Sequence, residues 1–265
     1  MTRGDLAAEL VVRGGHVALD YFSRRHVAWK PDGSMVTDAD LAIQEAVAHE
    51  ISRMFPGDVV LGEEGPPRMP APGTALHAWI IDPLDGTNNY GRGLPGFSVS
   101  IGVLRGGVAV AGAVYDPVAA WLFRACEGRG AWLNDRALYA KPRALSESSL
   151  VSIRTPLDDG PPPYVAAWLR QYRLRRFGST ALQLCYVAMG ALDLVHDHRA
   201  TLWDVAGAAA VVTEAGAILT RADGSPLFPV SAAESAGEPL AMLAGNRLTH
   251  AQGLAEIVAS LSAAR

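Results

Sequence analysis

Trp79-Ile80-Ile81-Asp82-Pro83-Leu84-Asp85-Gly86-Thr87-Asn88-Asn89-Tyr90 is the stretch on which the reading of this chain turns. Ala78 to Ile81 is a short apolar run that stops at an acid, as a buried strand does when its end opens on a pocket. Pro83 fixes its own φ and removes a donor, stiffening the turn around it. Asp82 and Asp85 can then face one pocket, with the Leu84 carbonyl turned toward it. Gly86 lets backbone approach a bound anion closely. A helix starting next would aim the amides of Gly86 and Thr87 at that anion. Taken alone, Asp82 to Gly86 consists of ordinary turn formers and reads as a plain turn.

Working outward, further acids stand beside apolar runs. Glu63 follows Val59-Val60-Leu61-Gly62, and Asp204 opens an Ala-rich helical stretch. Asp38 and Asp40 follow Val36-Thr37. Each has an ordinary reading by itself: Glu63-Glu64 as a solvated loop pair, Asp204 as a helix cap, Asp38 and Asp40 as helix-start acids favoured by the dipole. Gathered in one place, ionised carboxylates would repel one another and lose hydration. Divalent cations relieve both costs, and an all-oxygen set without His or Cys suits a hard ion such as Mg²⁺.

The rest of the chain frames these acids. Helical spacing of apolar residues predicts helices over Asp5 to Phe22 and Thr37 to Met54, with Lys30 to Ser34 a loop between them. The Pro-rich stretch 66–73 reads as a surface loop. From Phe97 to Leu133, apolar runs broken at Arg105-Gly106-Gly107, Asp116-Pro117 and Glu127-Gly128 predict an antiparallel meander. Beyond about Leu145, short strands alternate with helices near Tyr164 to Arg170, Ser179 to Met189, Trp203 to Ala215 and Thr249 to Ser260, an α/β pattern. The expected division is residues 1–145, an α+β part with an antiparallel sheet, and 146–265, an α/β part completing the site.

Composition narrows the function classes. A formal net charge of −4 with 19% charged residues is that of an ordinary globular protein and gives no reason to expect nucleic acid or an anionic membrane as partner. No run of about 18 apolar residues is present. The N-terminal stretch, with an early acid, does not read as a secretory leader. Cys126 and Cys185, two isolated thiols, suit a reducing cytoplasm and structural roles.

Joint occurrence in a fixed order is what raises these acids above their ordinary readings. Val36-Thr37-Asp38-Ala39-Asp40, Gly62-Glu63-Glu64, the Trp79 to Tyr90 stretch, Trp203-Asp204-Val205-Ala206-Gly207 and Glu214-Ala215-Gly216 together resemble the inositol monophosphatase family over nearly the whole chain. The resemblance implies a layered αβαβα fold, a tendency to homodimerise and a small phosphorylated metabolite as substrate. It implies two or three Mg²⁺ ions held by Glu63, Asp82, the Leu84 carbonyl, Asp85 and Asp204. It implies a metal-activated water positioned by Thr87 and Glu63, with Asp40 as the hydrogen-bond partner of Thr87. Lys30 would approach from a mobile loop. Asp85, Gly86, Thr87 and Asp204, with Gly178-Ser179-Thr180 and Asp197, would line the substrate. Asp197 stands where inositol-preferring members often carry a Glu that bonds ring hydroxyls, and its shorter reach is a departure. His196 and His198 read as rim or surface residues, and Arg199 as a partner in an outer salt bridge. Inositol monophosphate, histidinol phosphate, fructose 1,6-bisphosphate and a 3′-phosphoadenosine nucleotide are the substrates in view. Asn88-Asn89-Tyr90 is closer to the inositol type than to the nucleotide type. A non-catalytic regulator that binds RNA polymerase or another protein is the reading from a different class.

Overall fold

In a computed structural model of the chain, the structure describes residues 1–31, 33–64, 77–157, 160–230, 234 and 237–263. The loop expected over 66–73 lies outside them. Helices α1 (Arg3–Phe22) and α2 (Asp38–Met54) both begin on capping boxes, Thr2 with Asp5 and Thr37 with Asp40. Their apolar stripes, Leu6, Leu10 and Val11 on one and Ile43, Val47 and Ile51 on the other, are buried against one face of a seven-stranded sheet. Between the two helices, β1 (Val27–Trp29) and β2 (Met35–Thr37) form a small antiparallel hairpin that flanks the expected loop.

The sheet runs β3 (Val59–Gly62), β4 (Ala78–Asp85), β5 (Ser98–Arg105), β6 (Val108–Asp116), β7 (Trp121–Cys126), β8 (Ala131–Leu133) and β9 (Arg136–Leu138), adjacent in that order. Only β3–β4 is parallel; the rest is the expected meander. Helices cover both faces, so β4 is buried at every position and needs no polar alternation. Trp79 and Ile81 point to α1 and α2; Ile80 points the other way.

On that other face lie α5 (Thr180–Ala188) and α6 (Leu202–Glu214). Behind them is a five-stranded sheet, ordered β11 (Arg173–Leu174), β10 (Leu150–Ile153), β12 (Leu194–Ala200), β14 (Leu240–Gly245), β13 (Ile218–Arg221). Helix α4 (Pro163–Gln171) and the C-terminal helix Arg247–Ala263 close its outer face. The result is five layers, αβαβα. Each sheet comes from one side of residue 145, yet α6, from the second half, packs on the first half's sheet. Val114 and Phe123 share one core with Leu182, Val195 and Met242.

The contact between α6 and the first sheet is unusually close. A Cβ on Gly112 would stand 2.1 Å from the Gly207 carbonyl oxygen, and one on Gly102 would stand 2.5 Å from the Ala206 carbonyl carbon. Only glycines permit that approach, and it sets how near the start of α6 lies to the end of β4.

Candidate active site

The segment expected to turn at Asp82 instead remains in the strand. β4 runs on to Asp85, with a register shift in which Asp82 pairs Ser100 and Asp85 pairs Ser98. Three residues on β4 therefore span two on β5, which is a bulge, and Pro83 sits in it where no ladder donor is needed. Strict alternation would send Asp82 and Asp85 to opposite faces. The bulge puts both on the face of Ser98 and Ser100, toward α5 and α6, and leaves Leu84 in the core with α1 and α2.

Two helix starts meet these acids. Ser179 caps α5 by accepting from the Leu182 amide and donates its hydroxyl to Asp85 Oδ2 at 2.6 Å. Asp85 also accepts from the Ala181 amide at 2.6 Å and the Thr180 amide at 3.2 Å. Asp204 is the third residue of α6, and its Oδ2 accepts from the Thr201 amide at 2.7 Å and hydroxyl at 3.0 Å. This corrects the cap reading: Thr201 is the N-cap and Asp204 the N3 acid of its capping box, and the same carboxylate belongs to the cluster. Oxygens of Asp82, Asp85 and Asp204 lie within 4.8 Å of one another.

Electrostatics marks the cluster as strained without a cation. Asp82 lies well above the ordinary carboxylate range, through burial and then the charges of Glu63, Asp85, Asp204 and Asp40. Burial, then Asp204, lifts Asp85 to about 7 against its hydrogen bonds from Ser179, Ala181 and Thr180. Glu63 rises to about 8, chiefly by burial, although Lys30 opposes this. Asp204 is raised by burial, with Arg154 opposing. One oxygen of Asp82, Oδ2, is buried without a hydrogen-bond partner among the described residues. An orphaned carboxylate oxygen inside a cluster of hard donors fits a divalent ion.

Other expected residues take different places. Lys30 Nζ reaches Glu63 Oε1 at 3.2 Å and also bonds Glu64. Thr87 begins the short helix α3 (Thr87–Gly91), capped by Gly86 at φ 96°, where a Cβ would strike the Gly96 carbonyl. The Thr87 hydroxyl donates to the Leu84 carbonyl at 2.8 Å, not to Asp40. Asp40 closes its capping box on Thr37 instead, and burial lifts it to about 6. Its Oδ1 is buried without a partner among the described residues. Gly178, at φ 90°, lies against Asn89, which donates to the Phe177 carbonyl. Thr180 donates to Asp197 at 3.1 Å. Asp197 is buried and also accepts from Arg154 and from the Arg199 amide.

His196 corrects the rim reading. β12 continues through Ala200, so His196 is buried, sharing hydrogen bonds with the Met242 carbonyl and the Tyr164 hydroxyl and packing edge-on to Trp168. Arg154, just past β10, is a site residue that sequence reading missed: its guanidinium lies 3.7 Å from Asp204 and 3.4 Å from Asp197. Nothing in its local sequence marks it, because a strand end followed by a single Arg is commonplace.

The four raised carboxylates of the cluster, with Asp40 beside them, yield a prediction. A carboxylate whose folded pKa exceeds its unfolded value holds its proton more tightly when folded, so ionising it costs stability. In chelator, the melting midpoint should fall as pH rises from about 5 to 8, spanning the ordinary carboxylate range to the value of about 8 at Glu63. Mg²⁺ should raise the midpoint by about 5 °C or more at pH 8, and by less at pH 5.5. Thermal melts with and without Mg²⁺ test this; a midpoint flat from pH 5 to 8 in chelator would count against a self-repelling cluster.

A layered αβαβα fold with a buried carboxylate cluster at the junction of its middle layers defines a class of proteins built to hold hard cations. Residues 4–262 match the inositol monophosphatase family, and the chain belongs to it. It is 32% identical over 245 residues to inositol monophosphatase 1 of Solanum lycopersicum, covering 88% of this chain and 86% of that one. It is 34% identical over 201 residues to Nus factor SuhB of Pseudomonas aeruginosa, covering 73% and 74%. Among solved structures, an IMPase of Thermotoga maritima superposes with a TM-score of 0.86 at 28% identity, covering 99% of both chains.

Proposed function

We propose that this protein is an inositol-monophosphatase-like, Mg²⁺-dependent hydrolase of phosphate monoesters on small polar metabolites. The observation that carries this reading is the meeting of Asp82, Asp85 and Asp204 within 4.8 Å, with Glu63 close enough for its charge to raise Asp82. Asp82, Asp85, Asp204 and Glu63 are the residues that would hold the ions. Bound there, Mg²⁺ would supply Lewis-acid polarisation of a phosphoryl oxygen and lower the pKa of water for attack.

The chain's own groups have separate tasks. Asp85 clamps the start of α5, fixing Gly178-Ser179-Thr180 as the wall beside the alcohol part of the substrate. Thr87, tied to Leu84, holds the α3 start against the cluster, where it can orient water once its hydroxyl is free to turn. Lys30, paired with Glu63 and Glu64, brings positive charge to the edge of the cluster. A cytoplasmic setting goes with this reading, and two free thiols suit it. Among the described residues, no helix is long and apolar enough to cross a membrane.

The test is phosphate release from inositol 1-phosphate, histidinol phosphate, fructose 1,6-bisphosphate and 3′-phosphoadenosine 5′-phosphate, with Mg²⁺ and with chelator. Turnover of at least one, abolished by chelator, is expected. A folded protein that binds Mg²⁺ yet releases phosphate from none would favour the protein-binding role suggested by the name of the Pseudomonas relative.

A further inference from the structure

Asp197 is the residue that would read a polyol, yet it is already engaged. It accepts from the Thr180 hydroxyl, the Arg199 amide and Arg154. The group left facing outward is Arg154. Its Nη1 donates to Asp197 Oδ2 across a long 3.4 Å, the one hydrogen bond its side chain makes among the described residues, and that side chain is 35% exposed. A guanidinium carries five donors in a planar fork suited to carboxylate and phosphate, so most of this fork remains for a ligand.

A second cation reaches the same place. Arg176, two residues before Gly178, donates to the carbonyl and hydroxyl of Thr155, the neighbour of Arg154. Burial and the charge of Arg154 both press the Arg176 guanidinium downward, with Asp197 opposing. Two arginines are thus drawn together facing a single acid that is not needed for the metal cluster. With Glu63, Asp82, Asp85 and Asp204 neutralised by divalent ions, Asp197 balances only one of them. The wall beside Gly178-Ser179-Thr180 keeps an excess positive charge, which a neutral polyol does not use.

We propose that Arg154, supported by Arg176, is a specificity-determining residue that binds a second anionic group, carboxylate or phosphate, on the alcohol part of the substrate. This rests on the phosphatase reading above. The two arginines would grip that group while the scissile phosphate lies over the carboxylate cluster. A charge-assisted hydrogen-bonded pair of this kind is worth about tenfold or more in selectivity.

Matched substrates test it. 3-Phosphoglycerate against glycerol 3-phosphate adds a carboxylate; fructose 1,6-bisphosphate against fructose 1-phosphate adds a phosphate. Wild type should favour at least one charged member by about tenfold or more in kcat/KM, and which pair shows it identifies the group. Arg154→Met should bring that ratio to within about twofold of one, with Arg154→Lys and Arg176→Met between. A purely structural role would lower both members in proportion and leave the ratio unchanged. The same ratios should appear in calorimetric binding of the corresponding non-hydrolysable phosphonates to the Mg²⁺-loaded protein. Equal or weaker handling of both charged members by wild type, or a ratio untouched by Arg154→Met, overturns the proposal. Absence of any turnover overturns the phosphatase reading instead, while the phosphonate titrations still decide whether Arg154 selects an anion.

Discussion

Asp82→Asn is expected to lower kcat/KM by at least about 10³-fold while making the metal-free protein more stable. Asp82 is 1% exposed, and its pKa is driven up by burial and by four neighbouring acids. Removing its charge relieves repulsion in the metal-free cluster, so the melting midpoint in chelator should rise by a few degrees, about 1 kcal/mol or more. The same change removes a carboxylate that the charges of Glu63, Asp85, Asp204 and Asp40 all reach, so the Mg²⁺-dependent rise in midpoint should shrink and metal-assisted hydrolysis should collapse. The opposed signs are diagnostic. An ordinary core substitution loses activity and stability together; a functional cluster held at a cost loses one and gains the other. Parallel melts and phosphate-release assays read both, and an Asn variant that is destabilised in chelator would contradict the account.

Gly112→Ala should be the most damaging methyl that can be added away from the cluster. The new Cβ would lie 2.1 Å from the Gly207 carbonyl oxygen, a backbone atom of α6 that cannot turn aside. Helix and sheet must separate, which costs about 3 kcal/mol, at the upper end of overpacking, and lowers the midpoint by roughly 5–10 °C. Because Asp204 rides on the first turn of α6, the separation also pulls it from Asp82 and Asp85. Mg²⁺ affinity should therefore fall by about tenfold, as for loss of a positioning contact. Gly57→Ala is the control: nothing lies within 4 Å of its added methyl, so stability and Mg²⁺ binding should stay within about 0.5 kcal/mol of wild type. If Gly112→Ala melts like wild type, the small-residue contact does not set the position of α6.

Much of the site was legible because its chemistry is local. The acids that follow apolar runs, the helix starts near Thr37 and Ser179, and the acids Asp40 and Asp204 at helix starts are short-range patterns, governed by backbone groups a few residues away. The family resemblance carried the long-range grouping that periodicity alone could not. The corrections are of another kind. The hydrogen bond expected from Thr87 to Asp40 is replaced by one from Thr87 to the Leu84 carbonyl, because the bulged end of β4 offers a nearer acceptor. His196 reads as exposed in the sequence because polar neighbours surround it there; in the fold, β12 lies between β10 and β14 and takes that histidine inward.

By itself the sequence determined which groups were available: acids at strand and helix ends, glycines where backbones meet, and apolar runs that must leave water. Those follow from hydrophobic period, cap chemistry and backbone freedom, all local properties. Tertiary structure alone decided which charges became neighbours. Asp82, Asp85 and Asp204 meet because a bulge turns two acids to one face and Gly102 and Gly112 let α6 approach it. Arg154 joins them because β10 and β12 lie side by side, 43 residues apart in the case of Arg154 and Asp197. Coulomb energy depends on distance through space and on burial, and neither can be read along the chain.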